Sequence, residues 1–103
     1  MQTTRIQIPE TVEYALTKDL GDVMYRRSIR SARSGVENGM RFVDYHANPV
    51  MIAKALDALF NRAAGQDTVI YKGMRKTVEL QISNQPCAPP KGDITHVFTV
   101  KPV

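Results

Sequence analysis

Apolar and polar residues alternate near the beginning of the chain, which is the pattern of a half-buried β-strand. Ile6 and Ile8 alternate with polar neighbours, and after Pro9 the alternation resumes over residues 12–16. Two short alternating runs separated by a turn predict a β-hairpin. The second run could instead begin a helix at Pro9.

Residues 22–34 carry a helical pattern. Asp22 is a favourable N-cap residue, because its carboxylate can accept hydrogen bonds from the free backbone N–H groups of a first helical turn. The helix would run to about Ser34 and end at Gly35 or Gly39, either of which can adopt the left-handed backbone that closes a helix. Its apolar residues form one narrow stripe at helical spacing: Tyr25, Ile29, Ala32 and Val36.

A second helix is predicted to begin after Asn48. Asparagine at the N-cap, followed by proline at the first helical position, is a strong start signal. The helix is expected to stop at Gly65. Residues 40–45, which precede the helix, are predicted to form either a short strand or an ordered connection. Its apolar stripe comprises Ile52, Leu56, Leu59, Phe60 and Ala63.

The last third of the chain alternates again. Residues 68–82 alternate around a tight turn at Lys72-Gly73 and predict a second hairpin. Three prolines predict a loop over residues 84–92, because proline cannot donate to a strand ladder. Residues 94–100 are predicted to be a strand whose free edge could pair with a second copy of the chain.

These elements follow one another in the order ββα(β)αβββ. Such an order is typical of an α+β protein in which two amphipathic helices pack on one face of a mainly antiparallel sheet. A chain of 103 residues is expected to form a single domain, residues 1–103, with one core. The predicted core residues are Ile29, Val36, Leu56, Leu59, Phe60, Val78, Leu80, Ile82, Phe98 and Val100.

Half of the arginines in the chain lie within residues 25–34, where no acidic residue interrupts them. Arginine is suited to bidentate contact with phosphate, and a row of arginines one helical turn apart matches an extended phosphate backbone or a polyphosphate. Tyr25 could stack on a base, and the interleaved serine hydroxyls can donate hydrogen bonds to phosphate oxygens. The arginines are Arg26, Arg27, Arg30 and Arg33, and a second basic group at the hairpin turn comprises Lys72, Arg75 and Lys76.

The overall composition favours an anionic partner and excludes several classes of protein. The chain has 14 Lys and Arg against 10 Asp and Glu, which gives a net charge of +4 and favours anionic ligands. Cys87 is the single cysteine, so no internal disulfide can form, and His46, His96 and Cys87 have no zinc-site spacing. With no secretory signal, no membrane-spanning stretch and no glycine-rich phosphate loop, we expect a cytoplasmic protein without metal or cofactor.

The first hypothesis is a non-enzymatic protein that binds a phosphate-bearing ligand, either nucleic acid or a nucleotide, through the arginine-lined helix edge. An alternative is a protein that docks on an acidic protein surface or sequesters a nucleotide signal of host defence, as small accessory and inhibitor proteins of phages do. A third is a ribonuclease similar to RelE toxins, by analogy of fold alone, with Tyr71, Arg75 and His96 on the sheet. The arginines could also be a solvated face that pairs locally with Asp22 and Glu37.

Overall fold

The computed structural model describes residues 3–63, 66–86 and 94–100, and for residues 84–86 and 94–100 it describes the backbone alone. Two helices and six strands follow one another along this part of the chain. They are β1 (Thr4–Pro9), α1 (Tyr14–Arg26), β2 (Ser31–Glu37), β3 (Met40–Tyr45), α2 (Pro49–Phe60), β4 (Thr68–Lys72), β5 (Thr77–Pro86) and β6 (Ile94–Val100).

The strands form one sheet in the order β2-β3-β1-β6-β5-β4. Neighbouring strands are antiparallel except β1 and β6, which are parallel and pair Arg5 with Thr95. The predicted α+β class, with two helices and a mainly antiparallel sheet, is therefore confirmed. The prediction that residues 94–100 have a free edge is wrong, because β6 lies between β1 and β5, and the sheet edges are β2 and β4.

The core lies between the sheet and the two helices. In β1, Thr4, Ile6 and Ile8 are buried while the residues between them are only partly buried, so one face of the strand packs inward. The Thr4 hydroxyl is fully buried and donates to the backbone carbonyl of Ala47 at 2.8 Å, which satisfies its need for a hydrogen-bond partner.

The first helix begins at Tyr14, so the hairpin predicted over residues 5–16 and the helix predicted over residues 22–34 are both wrong. The alternative, in which the second run belongs to a helix, is correct, although that helix begins at Tyr14 and not at Pro9. A longer helical period overrides the short alternation, because four residues at helical spacing are buried while Tyr14 remains 67% exposed. Asp22 lies inside the helix and is not its N-cap, which is Glu13. The buried residues of α1 are Leu16, Leu20, Val23 and Met24.

Helix α1 ends in a Schellman motif built on Ser28. This residue has φ of +58°, a left-handed conformation that is usually taken by glycine. Its N–H donates to the carbonyl of Tyr25 at 3.0 Å, and the N–H of Ile29 donates to the carbonyl of Met24 at 2.9 Å. Ile29 and Met24 are both buried, as the hydrophobic contact of this motif requires.

Residues 31–45 form a hairpin of β2 and β3 rather than the end of a helix. The two strands pair from Ser31 with Tyr45 to Glu37 with Met40. Asn38 and Gly39 between them have φ of +52° and +75°, which matches the Asn-Gly turn that is favoured in two-residue hairpins. Gly39 thus closes a hairpin, and neither it nor Gly35 ends a helix.

The second helix begins as predicted. The side chain of Asn48 accepts a hydrogen bond from the N–H of Met51 at 2.9 Å, and Pro49 is the first helical residue. The helix ends earlier than expected, because Asn61 adopts the left-handed conformation that closes it. Gly65, the predicted stop, lies outside the described residues.

The second hairpin and the last strand are confirmed over residues 68–82 and 94–100. Strand β5 continues to Pro86, so the loop begins later than predicted, and residues 87–93 lie outside the described part of the chain.

The core contains most of the predicted residues that the structure describes. Ile29, Leu56, Leu80 and Ile82 are buried, and Leu59, Phe60 and Val78 pack against the core at its margin. Val36 is 56% exposed because it lies on an edge strand, so its assignment to the core is wrong. The side chains of Phe98 and Val100 lie outside the described residues.

Candidate anion-binding site

The four clustered arginines do not line one helix edge. Arg26 is the last residue of α1, Arg27 is its C-cap, Arg30 lies in the connection to β2, and Arg33 lies within β2. The predicted arginine-lined helix edge is therefore wrong, because the Schellman motif at Ser28 ends the helix in the middle of the arginine cluster.

Arg33 belongs to an ion-pair network on the sheet face opposite the helices. Its guanidinium lies 3.7 Å from the carboxylate of Asp44 and 3.9 Å from that of Glu37. The same network includes Arg5, whose Nε and Nη2 donate to the two oxygens of Asp44 at 2.7 and 3.0 Å. Both guanidinium groups also lie over the ring of Phe42. Arg33 is thus committed to contacts within the protein.

The second basic group, Lys72, Arg75 and Lys76, lies at the opposite end of α1. The backbone N–H groups of Met74 and Arg75 donate to the carboxylate of Glu13, just before the helix, at 2.9 and 3.0 Å. A helix of 13 residues separates this turn from Arg26, a distance of about 20 Å at 1.5 Å per residue. The structure therefore does not bring the two basic groups together.

What remains together is a basic corner at the C-terminal end of α1, which we define as Tyr25, Arg26, Arg27, Ser28 and Arg30. None of its three arginines forms a salt bridge or a side-chain hydrogen bond with the residues that the structure describes. The partial negative charge of a helix C-terminus offsets only about half an elementary charge, against three guanidinium charges. The corner therefore keeps most of its positive charge for an external partner.

Hydrogen bonds fix the backbone of the basic corner. The Schellman hydrogen bonds hold Ser28, and the N–H of His46 donates to the carbonyl of Arg30 at 2.7 Å. Tyr25 is 84% exposed, so its ring has not been used for packing. A fixed backbone that carries free guanidinium groups presents them to a ligand from a constant position.

Three surface depressions meet at Arg30. One, of about 480 Å³, includes Arg26 and Ser28, and another, of about 630 Å³, includes Ser28, Ser31 and His46. The third is a groove of about 490 Å³ between α1 and the β2–β3 hairpin. The groove is lined by Thr17, Gly21, Met24, Tyr25, Ile29, Arg30, Ser31, Ser34, Val43 and Tyr45.

Two buried tyrosines have raised pKa values. Burial raises the pKa of Tyr45, in the groove, to about 12, so its hydroxyl stays neutral near neutral pH. Burial, followed by a hydrogen bond to Asp19, raises the pKa of Tyr71 to about 12. The Tyr71 hydroxyl donates to Asp19 on α1 at 3.0 Å, so it faces the helix layer.

Sequence reasoning missed two residues of this region. His46 lines a depression beside Arg30 and Gly21 lines the groove, and neither belongs to the predicted site. The Asn38-Gly39 dipeptide was the available signal, because a hairpin there requires strands on both sides and excludes a helix through Ser34.

The fold defines a small α+β protein with two helices on one side of a six-stranded mixed sheet. No protein-family model, curated protein or solved structure matches this chain. Within the described ranges, no helix is long and apolar enough to cross a membrane. The same residues contain no group of three or more His, Cys, Asp or Glu side chains that could hold a metal ion.

Proposed function

We propose that this protein is a non-enzymatic binding protein that takes a phosphate-bearing ligand, nucleic acid or nucleotide, at the basic corner. The observation that supports this proposal is the set of three guanidinium groups, those of Arg26, Arg27 and Arg30, that no described acidic residue neutralises. Guanidinium groups bind phosphate oxygens in bidentate fashion, which makes phosphate the matching ligand chemistry.

The surrounding groups suit the same ligand. Hydroxyl groups of Ser28 and Ser31 line the depressions next to Arg30 and can donate to phosphate oxygens. The exposed ring of Tyr25 beside Arg26 offers a surface on which a base can stack. The proposed site does not include four of the predicted residues, because they lie elsewhere in the fold: Arg33, Lys72, Arg75 and Lys76.

A second candidate function is docking on an acidic protein surface, as an accessory or inhibitor protein would do. The exposure of Tyr25 favours it, because tyrosine and arginine are the residues that most often dominate protein interfaces. In that case the basic corner contacts carboxylates of a partner instead of phosphates.

The proposal is tested by binding of the pure protein to duplex DNA, single-stranded RNA and mononucleotides at low and high salt. A triple variant, Arg26→Ala, Arg27→Ala and Arg30→Ala, should abolish binding. For nucleic acid, each single Arg→Ala variant should reduce the slope of log affinity against log salt by about 0.9 with duplex DNA and by about 0.7 with a single strand.

The matched control is Lys72→Ala, Arg75→Ala and Lys76→Ala. Each triple variant removes three positive charges, from +4 to +1, so the two variants differ only in which basic group is lost. We expect the control to bind nearly as the unaltered protein does. Equal losses in both variants would show that general charge attraction, and not the basic corner, is responsible.

A further inference from the structure

The groove between α1 and the β2–β3 hairpin opens directly onto Arg30 of the basic corner. Its volume of about 490 Å³ falls within the range of 300–1,000 Å³ that is usual for small-molecule sites. The groove exists partly because Gly21 has no side chain. A methyl group added there would meet no atom within 4 Å beyond the adjacent chain and the helix backbone.

The lining of the groove is partly apolar and partly cationic. Met24, Val43 and the buried ring of Tyr45 supply apolar surface, whereas Arg30 supplies a positive charge and the serines supply hydroxyl groups. The matching molecule has a largely apolar body with a few polar edges, joined directly to an anionic group. A nucleoside phosphate has this arrangement, and a bare phosphate or a carboxylate does not.

We infer that the groove receives the nucleoside of a nucleoside phosphate, either a free mononucleotide or a nucleotide of a single strand, whose phosphate lies on Arg30. This inference rests on the proposed function and narrows it. Duplex DNA does not qualify, because its bases are stacked and paired and cannot enter a groove without being flipped out.

The test fills the groove without disturbing the fold. Gly21→Leu places a large side chain in the empty space, whereas Gly21→Ala adds only a methyl group. Comparison of the two variants separates the effect of filling the groove from the effect of replacing glycine in the helix. Alanine and leucine are both better helix formers than glycine, so neither variant should unfold. Circular dichroism and thermal unfolding confirm this before binding is measured.

Binding of adenosine, guanosine, cytidine and uridine monophosphates, of a short single-stranded RNA and of inorganic phosphate is then measured by calorimetry. We expect Gly21→Leu to weaken mononucleotide and RNA binding by about tenfold or more while inorganic phosphate is bound as before. Gly21→Ala, which adds only a methyl group, should weaken nucleotide binding less than Gly21→Leu does.

The outcomes distinguish this inference from the proposal on which it rests. Nucleotide binding that survives Gly21→Leu but is lost in the triple arginine variant would overturn the groove and leave the basic corner standing. Binding of duplex DNA without binding of RNA or mononucleotides would also overturn the groove and leave the basic corner standing. Tighter binding of the RNA than of every mononucleotide would identify single strands as the source of the nucleotide, and the reverse would identify free nucleotides.

Discussion

Replacement of Asp44 by asparagine tests whether the ion pair with Arg5 stabilises the sheet. Arg5 and Asp44 join β1 to β3 through two hydrogen bonds, and their side chains are only 23% and 14% exposed. Solvent therefore screens this pair less than a surface pair. Asparagine keeps the shape and one acceptor oxygen but removes the charge and the second acceptor.

The expected loss follows from these contacts. A hydrogen bond to a charged group contributes about 1.5–3 kcal/mol net, and Asp44→Asn removes one such bond and weakens the other. We therefore expect the free energy of unfolding to fall by about 2 kcal/mol. At about 4–8 °C per kcal/mol for a domain of this size, the Tm should fall by about 8–16 °C.

The control is Glu37→Gln in the same network. Glu37 contacts Arg5 and Arg33 only at 3.8 and 3.9 Å and is 52% exposed, so its loss should cost less than about 0.5 kcal/mol. Urea unfolding of both variants provides the comparison. If Glu37→Gln destabilises the protein as much as Asp44→Asn does, withdrawal from water is not what makes the Arg5 pair strong.

Three further changes test helix capping and pH dependence. Asn48→Ala removes the hydrogen bond from Met51 and should lower the free energy of unfolding by about 1 kcal/mol in urea, whereas Asn48→Asp should retain most of it. Backbone N–H groups hold the pKa of Glu13 below its usual value, so Glu13 stabilises the fold above its unfolded-state pKa and loses this effect as pH falls through the folded-state value. Unfolding of Glu13→Gln should accordingly depend less on pH on the acid side than unfolding of the unaltered protein, and identical profiles would contradict this. Burial raises the pKa of Tyr45 to about 12, so its contribution is complete below the unfolded-state pKa of about 10 and is lost as pH rises to 12. Tyr45→Phe should therefore lose less stability than the unaltered protein between those two pH values, as measured by urea unfolding.

The sequence predicted those elements in which local signals agree. Asn48 and Pro49 mark a helix start, and the apolar stripe after them has the helical period, so cap and pattern indicate the same helix. In the second hairpin, the turn signal of Gly73 and the alternation on both sides likewise agree, although the turn spans residues 73–76 and Lys72 is the last residue of β4. When the local preferences of a segment agree with one another, tertiary contacts rarely change the secondary structure that they predict.

Residues 12–37 were predicted wrongly because their signals conflict. Leu16 belongs both to a short alternating run and to a helical stripe, and only packing against the sheet decides for the stripe. Serine in a left-handed conformation ends the helix where no glycine marks the stop.

The candidate site was predictable only in part, because some of its residues are close in sequence and others are placed by strand pairing. Arg26, Arg27 and Arg30 stay close because they are close in sequence around one helix end. Arg33 does not belong to the site because it pairs with Asp44. That pairing depends on the register between β2 and β3, which cannot be deduced from the spacing of the arginines.

The parallel pairing of β1 with β6 has a consequence for how the chain folds. One half of the sheet, β2-β3-β1, is made from residues 4–45, and the other half, β6-β5-β4, from residues 68–100, each through antiparallel neighbours. The contact of Arg5 with Thr95 joins the halves across 90 residues, at a loop-closure cost of about 4 kcal/mol. The junction should consequently form late, and until it does, each half exposes one unpaired interior strand that can join the complementary half of another molecule.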